Sequence, residues 1–219
     1  MLPDSPLKGK TILNIGSSVA DGTGSYGTTY GDYLQAMDGC TVISQAKMAT
    51  TLSLREGRND SFVERLTQEV DPNEQIDLVL VQVSSNDATS GQSIGSPTDS
   101  FDLDSFDTTT VCGAVEYIIA YCKETWDCPV VFFTGTYFEA GLVYQPGNYK
   151  EMVSMMYDVM DKWEGQDVSL IDQWNDPEML AVSDEDYQLY MCDGVHPTKA
   201  GYLLWWLPNF QKALYPYFE

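Results

Sequence analysis

The chain has 219 residues, 43% of them hydrophobic, which suits one domain with a substantial core and leaves no room for a second full one. Thirty-three acidic against eleven basic residues give a formal charge of −22, which repels phosphate backbones and anionic lipid surfaces and argues against a nucleic-acid partner and against stable membrane association. No run of about twenty apolar residues is present, and residues 1–6 have neither the basic start nor the apolar stretch of a leader peptide. The expected compartment is therefore the cytoplasm, with secretion after leader removal compatible with the same residues. The oligomeric state has no signature in the sequence. Five cysteines (Cys40, Cys112, Cys122, Cys128, Cys192) without C-x-x-C spacing argue against a disulfide framework and a zinc site.

Residues 11–15 are an apolar run of strand length that breaks at Gly16, presents Ser17 and Ser18, and passes Gly22 before a helix is expected. A helix over 30–37 and a short strand over 40–44 follow. Residues 60–70 place Phe62, Val63, Leu66 and Val70 on one helical face, and Asp71-Pro72-Asn73 ends that helix. Residues 76–83, rich in valine and leucine, have the composition of a strand covered on both faces. The polar stretch 84–108 is long for a connection and is expected to carry function or local helix; its aspartates (Asp99, Asp102, Asp104, Asp107) do not match calcium-loop spacing.

A helix over 109–125 and a strand over 129–134 come next. The loop 135–148 carries Tyr137, Phe138 and Tyr144, candidates for a pocket wall. The helix 149–163 has a methionine-rich core stripe, residues 168–171 are the fifth strand, and a final helix is expected from Pro197 to Leu214. At least one of its Trp205 and Trp206 is read as core, with a sugar platform as the alternative. Strand and helix alternate throughout. This predicts one domain over 1–219, with 1–9 as an N-terminal tail, built on a mostly parallel five-stranded sheet with helices on both faces.

Three polar clusters fall where such a sheet presents its ligand-binding rim. Ser17 and Ser18 follow the first strand, and a hydroxyl there is either a helix cap or a nucleophile. Ser84-Ser85-Asn86-Asp87 follows the third, where the Asn86 amide either closes a turn or donates to a developing oxyanion. Asp193-Gly194-Val195-His196-Pro197 contains the one histidine, and a short turn there brings Asp193 to one ring nitrogen and leaves the other to accept a serine proton.

Taken together, these residues resemble the SGNH (GDSL-type) esterase/lipase family. Its first block, an apolar strand followed by G-D-S, is similar to residues 12–18 and would make Ser18 the nucleophile. Its third block, G-x-N-D, is similar to Ser84-Ser85-Asn86-Asp87. Its last, D-x-x-H-P, is matched in full by residues 193–197. The second block aligns with Ala46-Lys47-Met48-Ala49-Thr50-Thr51 and would put Ala49 at the position whose backbone N–H joins the oxyanion hole. Ser17, Ala49 and Ser84 depart from the family's aspartate and two glycines.

The resemblance implies a flavodoxin-like three-layer α/β/α sandwich and a catalytic set of Ser18, Asp193 and His196. The oxyanion hole would be formed by Ser18, Ala49 and Asn86, with no metal and no cofactor. It implies hydrolysis of a carboxylic ester through an acyl-enzyme, here a short, acetyl-like acyl group on a carbohydrate or small alcohol. The alternatives are a catalytically impaired glycan-binding protein on the same fold and an acyltransferase or lysophospholipase-type activity.

Overall fold

The computed structural model describes residues 4–137 and 146–219. Five strands, β1 (Thr11–Gly16), β2 (Thr41–Ala46), β3 (Leu78–Gln82), β4 (Val130–Phe133) and β5 (Val168–Ile171), form one all-parallel sheet in the order β2-β1-β3-β4-β5. Every residue of β3 and β4 is buried, as an unbroken apolar run flanked by strands and covered on both faces requires.

The helices are α1 (Ser18–Asp21), α2 (Tyr30–Asp38), α3 (Phe62–Glu69), α4 (Ser85–Thr89), α5 (Val111–Trp126), α6 (Pro146–Lys162), α7 (Pro177–Leu180), α8 (Asp184–Tyr190) and α9 (Leu207–Leu214). Helices α2 and α9 pack together on one face of the sheet, while α3, α5 and α6 stack side by side on the other. Reciprocal capping boxes start α2 (Thr29 with Asp32) and α3 (Ser61 with Glu64), so local sequence sets both entry points.

The three-layer sandwich follows the expected alternation, and the polar stretch 84–108 carries the local helix expected of it, α4, with a 3₁₀ turn at Leu103–Ser105. Local differences remain. The chain turns helical at Ser18 rather than beyond Gly22. Residues 172–190, without a helical stripe in sequence, hold α7 and α8, each begun by an Asp or Ser cap. The last helical run starts at residue 199, two past Pro197, and passes through a π-helical turn at Gly201–Trp206 into α9; Pro197 itself forms an isolated antiparallel bridge with Met191. Leu7, within the expected tail, is fully buried.

One face of the core is an aromatic cluster. Tyr30 stacks on Phe210 with ring centroids 4.4 Å apart and meets Phe133, Tyr202 and Trp206 around it. Its hydroxyl is satisfied by Asn14 Oδ1 at 2.7 Å, so a polar residue in the middle of β1 is paid for by a tyrosine on α2. Trp206 is thus core. Trp205 packs on Tyr190 and Tyr187. Cys40, Cys112, Cys122 and Cys128 are buried, Cys192 is exposed, and all five are free thiols. Burial pushes the Cys112 thiol up to about 12.

On the other face, Glu116 of α5 is fully buried against Lys162 of α6. The carboxylate also accepts from Thr98 N–H at 3.2 Å, and the ammonium donates to the Ser100 carbonyl at 2.5 Å. Lys162 lies over the rings of Phe101, Phe106 and Trp163. The pair pins the long polar stretch onto the helical layer. Removing one partner of such a pair leaves a buried charge and costs roughly 3–5 kcal/mol. We expect Lys162→Met to lower the melting temperature by about 10 °C, at the ~2–4 °C per kcal/mol of a chain this size. A change below about 2 °C by calorimetry would show that the pair contributes no net stability.

Candidate active site

Ser18, from the turn after β1, and His196, from the loop before the last helix, meet at the carboxyl rim of the sheet, and Asn86 follows the neighbouring strand β3 at the same rim. Ser18 Oγ lies 2.8 Å from His196 Nε2, and His196 Nδ1 lies 2.7 Å from Asp193 Oδ2. With a carboxylate on Nδ1, that nitrogen carries the proton, and Nε2 is left to accept from the serine hydroxyl. Ser18 and His196 are 8% and 7% exposed, so both hold their geometry inside the protein while keeping an opening to solvent.

The Asp193–His196 turn is built by its own carboxylate. Asp193 Oδ1 accepts from the backbone N–H of Val195 at 3.0 Å and of His196 at 2.9 Å, leaving Oδ2 for the ring. Burial alone would raise the Asp193 carboxyl. The hydrogen bonds from the His196 backbone and ring and from Val195 outweigh it and hold Asp193 below its ordinary value, ionised. Cys192 N–H donates to the His196 carbonyl at 2.8 Å and closes the loop. From the far side, Gly24 lies against it so closely that a Cβ would meet His196 Cβ and the Pro197 carbonyl at 2.8 Å each.

Asn86 donates from Nδ2 to the Thr50 carbonyl at 2.9 Å, which uses one of its two amide hydrogens and leaves the other. Thr50 follows Ala49, so the third-cluster amide and the second-cluster turn are adjacent. Ala49 is exposed with φ 60, in the left-handed region, where alanine is strained by its Cβ. Ser84, by contrast, has φ −77, which any residue adopts; its hydroxyl caps α4 and donates to the Thr50 carbonyl at 3.0 Å. Ser17 is fully buried with its Oγ 3.4 Å from that of Ser84.

Sequence reasoning passed over the residues that hold these groups. Asp87 is fully buried and accepts from Leu52 N–H (2.8 Å), Ser53 N–H (3.1 Å) and Ser53 Oγ (2.7 Å), so it shapes the loop after Ala49. Burial pushes its carboxyl up to about 6 against those bonds. Arg65, on the buried side of α3, donates from Nη2 to the Gly16 carbonyl at 2.9 Å and to Thr50 Oγ1 at 3.0 Å. The signal for it was a lone arginine three residues after Phe62, on the apolar stripe. Tyr137 stands half exposed beside Trp174; Phe138 and Tyr144, the other expected wall residues, lie outside the described residues. Among the described residues no cluster of His, Cys, Asp and Glu fits a metal ion, and no helix is long and apolar enough to cross a membrane.

A serine, histidine and aspartate joined in series on the rim of a parallel three-layer sandwich define an α/β protein of hydrolase type. The model of the GDSL-like lipase/acylhydrolase family matches residues 15–204, and the chain belongs to that family. No curated protein matches the sequence. Among solved structures, a protein from Lactobacillus plantarum is similar at TM-score 0.72 and 19% identity, over 94% of this chain and 97% of its own. A "possible lipase" from Chitinophaga pinensis is similar at TM-score 0.66 and 14% identity, over 93% and 96%. The acetylxylan esterase Axe2 from Geobacillus stearothermophilus is similar at TM-score 0.61 and 18% identity, over 97% and 95%. These likenesses show the fold.

Two expectations follow. Ala49→Gly removes a left-handed-φ cost of roughly 1 kcal/mol, partly offset by glycine's freedom in the unfolded chain. The variant should melt about 1–3 °C higher, and a lower melting temperature would show that the alanine is not strained. The second concerns Asp87, whose folded value of about 6 lies above the 3.8 of a free aspartate. The folded state therefore holds that proton more tightly, and the cost of ionising it is absent below about pH 4 and fully present above about pH 6. Acidification from pH 7 to 4.5 should stabilise the wild type by roughly 2 kcal/mol more than Asp87→Asn, and equal pH slopes in denaturant titrations would contradict it.

Proposed function

We propose that this hydrolase is a serine-dependent carboxylic ester hydrolase that removes a short, acetyl-like acyl group from a carbohydrate or small alcohol. The observation that carries the reading is the unbroken relay of Ser18 Oγ, His196 Nε2, His196 Nδ1 and Asp193 Oδ2, with steps of 2.8 and 2.7 Å. In this mechanism His196 takes the Ser18 proton as Oγ attacks the ester carbonyl carbon. Asp193, ionised and half exposed, stabilises the imidazolium. The oxyanion is held by the backbone N–H of Ser18 and Ala49 and the free amide hydrogen of Asn86. His196 then protonates the leaving alcohol oxygen as the C–O bond breaks. A water, deprotonated by the same ring, cleaves the acyl-enzyme and restores Ser18. No metal or cofactor enters these steps.

One likeness supports a small acyl group. One protein of the same fold is an acetylxylan esterase. The charge of −22 points to a neutral rather than polyanionic substrate.

In an assay with p-nitrophenyl acetate, butyrate and octanoate, kcat/KM should fall with chain length. Ser18→Ala should reduce it by about 10⁴-fold or more. Full activity in that variant, or preference for octanoate, would overturn the mechanism or the acyl size respectively.

A further inference from the structure

Gln82 ends β3 in what reads in sequence as an apolar run, and its side chain is buried at 3% exposure. Its Oε1 accepts two backbone hydrogen bonds from the turn after β1: Ser17 N–H at 2.9 Å and Ala20 N–H at 3.2 Å. These two donors bracket Ser18 in the chain. An amide oxygen has two lone pairs, so this one is filled by the two N–H groups on either side of the serine. The cap that a helical turn ordinarily receives from its own preceding residue is absent here. Ser17 makes no side-chain cap bond, and its hydroxyl faces Ser84 in the core.

The fit leaves no slack. A Cβ on Gly16 would lie 2.2 Å from Ala20 Cβ and 2.9 Å from Gln82 Oε1, so strand end, turn and glutamine are in contact at the limit of packing. The Ser18 N–H lies between two held donors and, among the described residues, donates to no turn or loop carbonyl. A neutral amide suits the position better than a carboxylate, since it accepts both bonds without placing a negative charge beside a developing oxyanion.

We propose that Gln82 is a positioning residue for the reaction. By holding Ser17 and Ala20 it aims the Ser18 backbone N–H at the oxyanion and keeps Ser18 Oγ in line with His196, without touching a reacting atom. The assignment rests on the reading of Ser18 as nucleophile and oxyanion donor.

The test compares wild type, Ser18→Ala, Gln82→Met and Gln82→Glu on p-nitrophenyl acetate and its thionoacetate analogue, whose C=S group fits oxyanion donors poorly. Gln82→Met removes the acceptor at nearly the same volume. It should lower kcat about 10- to 100-fold with KM within about twofold, and shrink the oxo-over-thiono preference by a similar factor. Gln82→Glu keeps an acceptor for both N–H groups and should retain the wild-type oxo-to-thiono ratio while the new carboxyl is protonated, the ratio shrinking as pH rises and a negative charge appears beside the oxyanion. Where Gln82→Met does not fold, Gln82→Asn, which withdraws the acceptor by one methylene, takes its place. A wild type without Ser18-dependent turnover overturns the esterase reading and the Gln82 role with it. An active wild type beside a folded Gln82→Met with unchanged kcat and ratio, or a Gln82→Glu whose ratio has collapsed even at the low-pH end where its carboxyl is protonated, overturns the Gln82 assignment alone.

Discussion

Where β1 ends, the chain turns inside the protein, and its backbone polar groups lose water before any regular ladder can satisfy them. The structure meets this demand from four directions. The Gly16 carbonyl accepts from Arg65 of α3 and from Lys47 N–H just beyond β2. Ser17 and Ala20 N–H donate to Gln82 of β3. The Val19 carbonyl accepts from the Tyr202 hydroxyl, which the last helical segment brings across the sheet at 2.5 Å. Each of these elements has its own reason to pack where it does, and each carries one polar group to the same turn. The position of Ser18 is consequently a property of the whole sandwich.

The departures from the family pattern fall into this setting in different ways. Ser17 and Ser84 replace an aspartate and a glycine, and they lie side by side in the core. A carboxylate at 17 would be buried with the Ser84 hydroxyl next to it, at a considerable desolvation cost. Two small hydroxyls fill the same space without a charge, and the one on Ser84 also satisfies the Thr50 carbonyl. Ser84 sits at φ −77 and needs no glycine, whereas Ala49 keeps a left-handed turn that glycine would occupy without strain. The backbone N–H that the pattern assigns to position 49 is retained in the turn at the expense of that strain.

The strands, their parallel arrangement and the three polar clusters were legible because each rests on local chemistry: apolar runs of strand length, turn residues at their ends, and a D-x-x-H turn that its own carboxylate closes. What sequence could not supply were partners chosen across space. Gln82 reads as an interruption in an apolar strand, and Arg65 as a flaw in an apolar helix face, until the turn they serve is known. Helices α7 and α8 carry no long apolar stripe, so periodicity had nothing to register. The last helix starts at residue 199, close to the proline that announces it, while Pro197 itself stays outside because its bridge with Met191 fixes the loop that carries His196.

This division between local and distributed construction separates the two halves of the site. The Asp193–His196 turn is closed by its own carboxylate and framed by the Met191–Pro197 bridge on one side and the packing of Gly24 on its backbone on the other. Ser18 and Asn86 have no such self-sufficiency, because Ser18 is fixed by Arg65, Gln82 and Tyr202, and Asn86 by a carbonyl on a loop that Asp87 shapes. The 2.8 Å contact between Ser18 and His196 joins the two halves. A small shift of the β1 turn would lengthen it while leaving histidine and aspartate in register, so the relay between nucleophile and base is more sensitive to the core than the relay between base and carboxylate.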